Sequence, residues 1–351
     1  MKWHGPARPW GVLLLAALTL GTSCTLLDPA PPPLPPPVAK AEPPPPICPP
    51  PPPDNFTDLI TVIDSPEDDM WPVVSPDGRR LAFVRGSGPL GSERARNFDV
   101  FYVNRPGRPN PIQVTRHASG EAFPSWMPSG QELYYTSDRL SVLTIWRTVL
   151  EALTGDIQIT GRDAHDFAPS VSPDGRKIVF NAWPTASGQP KPSLYPGLRP
   201  AADKPGPSLW IANADGALLT QIAVAGYHPR WTPDGRRILF YASTGENFDI
   251  WMINADGSER TQLTNDPADE IDPTISPDMG TLVYAAYDRA KENFDLWAIN
   301  LSEQGGRTQL TFDCADDRNP AWAADGILFF QSQRNKQWDI LGGRPQIPWR
   351  R

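Results

Sequence analysis

Cysteine is scarce in this chain of 351 residues, because it occurs only at Cys24, Cys48 and Cys314. So few cysteines cannot staple a fold of this length, and the fold must depend on a buried core. If Cys24 carries a different modification, only Cys48 and Cys314 remain to form a disulfide in an oxidising compartment. A long apolar run is also missing, since the segment from Val12 to Leu20 is too short to span a bilayer as a helix.

An excess of positive charge is missing as well, because the formal net charge is -8. Binding to nucleic acid needs a basic surface, so this class of partner is excluded. The sequence shows neither a Gly-x-Ser-x-Gly nucleophile turn nor a phosphate-binding loop. We therefore expect a protein that is not an enzyme.

What the chain does contain is a repeat that ends in a short turn. Its copies read SPDG at 75–78, MPSG at 127–130, SPDG at 172–175, TPDG at 232–235, SPDM at 276–279 and AADG at 323–326. The equivalent second positions of these copies lie 52, 45, 60, 44 and 47 residues apart. Spacings of about 40 to 50 residues with several short strands per unit are typical of a β-propeller. The sequence thus predicts six blades.

The fourth copy shows the strand order within one unit. Residues 228–231 lead into the turn, Arg237 to Tyr241 form a second predicted strand, Asp249 to Ile253 a third and Thr261 to Thr264 a fourth. Proline presets φ at the second turn position, and glycine accepts the positive φ that follows. The aromatic residues that recur in the third strands are expected to pack between blades.

The last repeat lacks a fourth strand, whereas Thr57 to Ile63 form an unassigned strand ahead of the first repeat. Pairing of this strand with the sixth blade would close the ring and remove an exposed sheet edge. The predicted fold is therefore an all-β, six-bladed β-propeller over residues 56–351, closed by an N-terminal strand. We expect it to be monomeric.

The repeat resembles a known family of propellers. SPDG turns followed by Ile-Leu-Phe, the run Asp-Ile-Trp-x-x-Asn-Ala-Asp-Gly and the Thr-x-Leu-Thr strand are similar to the six-bladed propeller of TolB, the periplasmic component of the Tol-Pal envelope system. The resemblance covers about residues 57 to 341. It implies a propeller that binds proteins of the cell envelope. TolB places an α/β domain before its propeller, and this chain has different segments there.

Residues 1–23 are typical of an export signal, with Lys2 and Arg8 ahead of the apolar run and small residues before Cys24. The ending Leu-Gly-Thr-Ser-Cys resembles a bacterial lipoprotein signal, which implies that Cys24 becomes the lipid attachment site. An ordinary cleaved secretory peptide is the alternative. Residues 24–55 then form a spacer, because 16 of the 25 residues from Pro29 to Pro53 are proline. Such a run adopts an extended polyproline II conformation.

These segments predict a periplasmic protein that is held at the membrane by a lipid anchor. Thr25 follows Cys24, and this favours the outer membrane. A protein or peptide of the envelope, including one associated with peptidoglycan, is the expected partner.

Strand direction places the Pro-Asp-Gly and Asn-Ala-Asp-Gly turns on one face of the ring. The opposite face receives the longer connections, among them the insertions Arg85 to Asn97 and Trp183 to Pro207. Long loops on a rigid scaffold are the usual place for recognition. We call the two surfaces the tight-turn face and the long-loop face.

The connections on the long-loop face also carry acidic residues close to the first strands. They are Glu67, Asp68, Asp69, Glu121, Asp163, Asp166, Asp269, Glu270, Asp272, Asp316 and Asp317. One hypothesis is an exposed acidic ring at the channel mouth that binds a basic peptide or Ca²⁺. The other is that aspartate before a strand caps loop backbone. The candidate partner-binding residues are Asp69, Glu121, Asp166, His228, Glu270, Asp272 and Asp317.

Three histidines, His117, His165 and His228, lie in successive connections of the same face. Imidazoles from adjacent blades can bind a transition metal, but these three lie at different distances from the next strand proline. We therefore expect no catalytic metal and no cofactor other than the Ca²⁺ considered above. The main hypothesis is a non-catalytic scaffold that binds protein. The alternative is a propeller lyase or hydrolase that acts on a polysaccharide or peptide, with or without a metal.

Overall fold

The computed structural model describes residues 52–87, 97–105, 110–151, 155–185, 206–223, 225–302, 306–334 and 336–350. The predicted signal sequence, Cys24, Cys48 and the spacer up to Pro51 lie outside these residues. Within the described ranges, no helix has the length and the apolar character that a membrane span requires.

The described chain forms six sheets, and each has four antiparallel strands. Blade 1 contains β2 (Asp68–Val74), β3 (Arg80–Ser87), β4 (Asn97–Asn104) and β5 (Ile112–Gln113). Blade 2 contains β6 (Glu121–Trp126), β7 (Glu132–Ser137), β8 (Thr144–Val149) and β9 (Ile157–Gln158). Blade 3 contains β10 (Ala164–Val171), β11 (Lys177–Pro184), β12 (Ser208–Asn213) and β13 (Thr220–Ala223).

The remaining blades repeat this order. Blade 4 contains β14 (Tyr227–Trp231), β15 (Arg237–Ser243), β16 (Phe248–Asn254) and β17 (Thr261–Gln262). Blade 5 contains β18 (Glu270–Ile275), β19 (Thr281–Asp288), β20 (Asn293–Asn300) and β21 (Arg307–Gln309). Blade 6 contains β22 (Asp317–Trp322), β23 (Leu328–Ser332), β24 (Asp339–Pro345) and the N-terminal β1 (Phe56–Ile63). The six-bladed propeller is confirmed.

Closure by the N-terminal strand is confirmed too. Strand β1 runs antiparallel to β24, with Phe56 opposite Pro345 and Ile63 opposite Ile340. Ile63 is 1% exposed, and the ring of Phe56 lies 5.5 Å from that of Phe330. The N-terminus and C-terminus of the propeller therefore share one sheet, so the ring can open only by breaking a full strand ladder.

Each tight turn is held by its own side chains. In the first turn, the Ser75 hydroxyl donates to Asp77 at 2.6 Å, and Asp77 accepts the backbone N–H of Arg79 at 3.0 Å. The hydrogen bond from Ser75 is the largest cause of a lowered pKa of the Asp77 carboxyl. Gly78 has a φ of 70°, which a side chain would strain. The same pattern recurs at 172–177 and 232–237.

Connection lengths separate the two faces as expected. All connections between first and second strands span five residues, at 75–79, 127–131, 172–176, 232–236, 276–280 and 323–327. The connections between second and third strands vary, and they cover 88–96, 138–143, 185–207, 244–247, 289–292 and 333–338. The variation in length falls on the long-loop face.

The core is built from aromatic side chains at one repeated position of the second strands. These residues are at most 2% exposed and comprise Phe83, Tyr135, Phe180, Phe240, Tyr284 and Phe330. In five blades the residue opposite on the third strand is also aromatic, namely Phe101, Trp146, Trp210, Trp251 and Trp297. These pairs fill the wedge between neighbouring twisted sheets, as the sequence predicted.

Cys314, which follows blade 5, is disulfide-bonded. Its partner lies outside the described residues, and the chain has only two further cysteines, Cys24 and Cys48. The pairing of Cys48 with Cys314 stays a prediction.

Candidate functional site

Every first strand contains a bulge at a residue that precedes proline. This residue has a positive φ between 44° and 54° in each blade, although none of the six is glycine. We call these side chains the bulge layer, and they are Trp71, Phe123, Ala168, His228, Asp272 and Asn319. The strand register shifts at the same point in all six blades.

The following proline suits such a bulge, because it has no N–H that the disrupted ladder would leave unpaired. A non-glycine residue in this conformation costs about 1 to 3 kcal/mol, so surrounding contacts must hold it. Neighbouring blades supply them: Gln331 accepts the N–H of Trp71 at 2.9 Å, and Asn181 accepts that of His228 at 2.9 Å. Strained backbone repeated around an axis marks the channel as a candidate site.

The bulge layer reaches across the channel. The rings of Trp71 and Phe123 lie 4.7 Å apart, and those of Phe123 and His228 lie 5.0 Å apart. Nδ1 of His228 lies 3.1 Å from a carboxylate oxygen of Asp272. Because blade 3 contributes only Ala168, side chains of blades 2 and 4 can touch. Two of the predicted site residues, His228 and Asp272, thus come together.

On the tight-turn side of the bulge layer, the channel widens into a cavity of about 450 Å³. First strands of all six blades line it, from every bulge residue except Asp272 down to the turn positions Pro76, Pro128, Pro173, Pro233, Pro277 and Ala324. Most of these turn prolines are solvent-exposed, so the cavity reaches the surface on the tight-turn face. We call it the channel cavity. The sequence pattern favoured the opposite face, so this cavity was not expected.

The other predicted acids lie two residues before the bulge. Asp69, Glu121, Asp166, Glu270 and Asp317 occupy this position in five blades, and each is 0% exposed. Blade 4 has Gly226 instead. The expectation of an exposed acidic ring is therefore wrong for these residues, because their side chains are buried. The hydropathy of the sequence does not predict this burial, because charged residues are rarely fully buried unless they are paired.

Arginine side chains cover these carboxylates from the long-loop face. Arg85 contacts Asp69 at 2.7 Å, and Arg334 contacts Asp317 at 3.0 Å. Asp166 pairs with Arg162 at 2.8 Å. Burial nevertheless raises the pKa of Asp69 and Asp166 above the ordinary value and that of Asp317 to about 7. The cost of desolvation is thus only partly offset by pairing.

Glu270 is the least compensated member of this set. Arg307 lies 3.6 Å from one of its oxygens, and neither carboxylate oxygen accepts a hydrogen bond within the described residues. Burial raises its pKa to about 7. Glu121 differs, because it accepts hydrogen bonds from Ser119 and Ser137, both at 2.9 Å, yet burial still raises its pKa.

The covering arginines also stack on the aromatic residues of the third strands. Arg139, which lies 3.5 Å from Glu121, is 4.2 Å from the ring centre of Trp146, and Arg162 lies 4.3 Å from that of Trp210. Such cation–π contacts contribute about 0.5 to 2 kcal/mol each. In blade 4, where the acid is missing, Arg260 still stacks on Trp251 at 4.2 Å. The long-loop face therefore presents guanidinium groups above the acids.

Three other acids have the capping role that was the alternative interpretation. Asp68, Asp269 and Asp316 each accept a backbone N–H at the start of a preceding third strand, from Trp338, Phe248 and Phe294, at 2.8 to 3.0 Å. Asp68 and Asp269 are buried, whereas Asp163 is exposed and Glu67 and Asp316 are partly so. The capping interpretation is confirmed for these three.

The three histidines have separate partners. His117 contacts Asp156 at 2.9 Å, and Nδ1 of buried His165 accepts the N–H of Leu143 at 3.1 Å. His228 faces Asp272 in the bulge layer. Among the described residues, no group of three or more His, Cys, Asp or Glu side chains is placed to hold a metal ion. The Ca²⁺ hypothesis stays a prediction.

No protein-family model matches the chain. A Tol-Pal system protein TolB from Anaeromyxobacter dehalogenans is 28% identical over 222 residues, which are 58% of this chain and 45% of the relative. A solved structure of putative TolB from Agrobacterium tumefaciens superposes with a TM-score of 0.56 at 18% identity, over 72% of this chain and 87% of that one. The propeller is TolB-like.

The TolB-like propeller spans about half the length of this curated relative. An oligogalacturonate lyase from Vibrio parahaemolyticus also superposes, with a TM-score of 0.51 at 12% identity, over 82% of this chain and 95% of the lyase. At that identity, the likeness concerns the fold alone.

Proposed function

We propose that this chain is a non-catalytic, protein-binding propeller of the bacterial cell envelope. The observation that carries the proposal is the match to relatives named as Tol-Pal system proteins, together with the closed six-bladed ring. A protein or peptide of the envelope, including one associated with peptidoglycan, is the proposed partner. The proposed location is the periplasm, where a lipid on Cys24 anchors the protein to the outer membrane.

We place the partner on the long-loop face. The connections that vary most in length lie there, and Arg–carboxylate pairs lie beneath them. The predicted residues Asp69, Glu121, Asp166, Glu270 and Asp317 then act by positioning the arginines, because their own carboxylates are buried. His228 and Asp272 lie one layer deeper, at the centre of the channel.

Exposed cations on the two faces allow a matched test. Arg116, Arg289 and Lys336 are exposed on the long-loop face, whereas Arg79, Arg176 and Arg236 are exposed in tight turns. Each set of three is replaced by glutamate, so both variants change the net charge equally. The amount of envelope protein that is co-captured after cross-linking is then measured for each variant and for the wild type.

The long-loop variant is expected to lose its captured partner, while the tight-turn variant keeps it. Charge reversal at exposed positions alters association more than folding, so both variants should melt close to the wild-type temperature. Loss of capture in the tight-turn variant alone would place the interface on the other face. Equal capture by all three proteins would show that the exposed cations of neither face contact the partner.

The alternative function, a lyase or hydrolase that acts on a polysaccharide or peptide, is supported by likeness in fold alone. Measurement of bound Mn²⁺, Zn²⁺ and Ca²⁺ after dialysis distinguishes the two functions. A stoichiometric transition metal would favour the enzyme, and stoichiometric Ca²⁺ would favour a cation site at the channel mouth.

A further inference from the structure

A second layer of side chains faces the channel two residues beyond the bulge. Its members are Val73, Ser125, Ser170, Arg230, Thr274 and Ala321, one from each first strand, and all line the channel cavity. Each member follows its bulge residue by two positions on the way to the tight turn, so this layer lies on the tight-turn side of the bulge layer. We call it the cavity layer. Blade 4 alone contributes a charge to it.

Arg230 is the one Lys, Arg, Asp or Glu residue among the described residues that line the cavity. Its Nη1 donates to the carbonyl oxygen of Pro320 at a long 3.4 Å. No ion pair within 4.0 Å joins Arg230 to a carboxylate in the described part of the chain. The charge of Asp272 acts on Arg230, but the carboxylate of Asp272 pairs with His228. Burial lowers the pKa of Arg230, as expected for a poorly compensated guanidinium.

Three hydroxyl groups share this layer with Arg230. The Ser125 oxygen accepts the N–H of Val171 at 3.0 Å, and the Ser170 oxygen accepts that of Trp231 at 3.2 Å. Neither hydroxyl donates a hydrogen bond within the described residues, so both protons are available. Ser170 and Thr274 come from the blades on either side of Arg230. A guanidinium flanked by hydroxyl donors is a donor set suited to an oxyanion.

We propose that the channel cavity binds a monovalent carboxylate through Arg230, with Ser125, Ser170 and Thr274 as further donors. The site is distinct from the partner surface on the long-loop face and goes beyond the proposed function. One cation faces the cavity, so one negative charge neutralises it, whereas the charge of about -1.5 to -2 on a phosphate would leave a surplus in a partly desolvated site. Guanidinium also matches the plane of a carboxylate in a bidentate contact.

The rest of the cavity fits the non-carboxylate part of such a ligand. Indole and proline rings form much of the wall, including Trp71, Trp126, Trp231 and Trp322. The volume of about 450 Å³ lies within the range of small-ligand pockets, about 300 to 1,000 Å³. The ligand is therefore an organic acid, either a free small molecule or the carboxylate of a chain end that enters from the tight-turn face.

Titration calorimetry on the purified full chain tests the proposal. The probes are acetate, N-acetyl-triglycine with a free carboxylate, its C-terminal amide and inorganic phosphate, all at millimolar concentration and low salt. Arg230→Met keeps an unbranched apolar stem but removes the guanidinium group and its charge. Arg236→Met, an exposed position in the tight turn of the same blade, is the matched control. Thermal melting verifies that both variants are folded.

We expect one carboxylate per chain and a loss of about 10- to 100-fold in the association constant for Arg230→Met, since hydrogen bonds to charged groups have this strength. Arg236→Met should bind like the wild type, and Ser170→Ala should show a smaller loss. Binding of acetate would identify a free acid as sufficient; binding of the peptide acid alone would identify a chain end. The proposal is overturned if no acid binds, if the amide binds equally, if phosphate binds most tightly, or if folded Arg230→Met retains full affinity.

Discussion

Replacement of Glu270 by glutamine should make the propeller more stable at alkaline pH. The Glu270 side chain is 0% exposed, and neither of its oxygens accepts a hydrogen bond within the described residues. Burial raises its pKa from the ordinary 4.5 to about 7. One pKa unit corresponds to about 1.4 kcal/mol, so ionisation costs the folded state about 3 kcal/mol at a pH well above 7.

The direction of the pH dependence follows from the raised pKa. Below pH 4.5 the carboxyl is protonated in the folded and unfolded states, and no ionisation cost arises. Between pH 4.5 and 7 the unfolded chain gives up the proton while the folded state keeps it, so stability falls as the pH rises. Glutamine does not ionise, so the variant does not undergo this fall in stability.

Urea unfolding of the wild type and Glu270→Gln across this pH range measures the effect. We expect the free energy of unfolding of the variant, relative to the wild type, to increase by up to about 3 kcal/mol between pH 5 and pH 8. Glu246→Gln, at an exposed position of blade 4, is the control and should follow the wild-type profile. Parallel profiles for Glu270→Gln and wild type would refute the assignment of a buried, poorly compensated carboxyl.

Three further predictions concern closure and the N-terminal segment. Deletion of Phe56–Ile63 should lower the free energy of unfolding by several kcal/mol, because the ladder to β24 and its packing disappear; an unchanged melting temperature would argue against a closed ring. Cys24→Ser should release the protein from the membrane and abolish labelling by a fatty-acid analogue, and persistent labelling would exclude this anchor. Peptide mass spectrometry without reduction should find Cys314 joined to Cys48; a Cys24–Cys314 peptide would contradict both the pairing and the anchor.

Closure and turn geometry were predictable from the sequence because both depend on local patterns. The Pro-Asp-Gly turns fix each hairpin through contacts within a few residues, such as Ser75 to Asp77. An unassigned strand at the start and a missing one at the end suffice to predict the pairing of β1 with β24. No knowledge of distant packing is needed for either inference.

The burial of the acids could not be derived in this way. Asp69 and Arg85 are 16 residues apart, and Asp317 and Arg334 are 17 apart. Each pair meets only after two strands have aligned. The sequence shows acids near strand starts but not whether an arginine lies above them. A signal was present in the regular spacing, because five of these acids stand two residues before a bulge residue that precedes proline.

The channel cavity was missed for a related reason. The proline that follows each bulge residue was visible as part of the repeat, but the positive φ of residues such as Phe123 and Asn319 depends on the assembled ring. Arg230 is also present in the repeat, but it becomes distinctive only by comparison with the other five blades. They have Val, Ser, Ser, Thr and Ala at the equivalent position, two residues after the bulge. Alignment of the six repeats at this proline is the step that would have found it.

In the proposed function, the propeller binds an envelope protein through its long-loop face. A photo-cross-linking amino acid placed in living cells at Arg116, on that face, or at Arg236, in a tight turn, tests this most directly. We expect a discrete adduct with one envelope protein from the Arg116 position and none from the Arg236 position. The same adduct from the Arg236 position alone would contradict it.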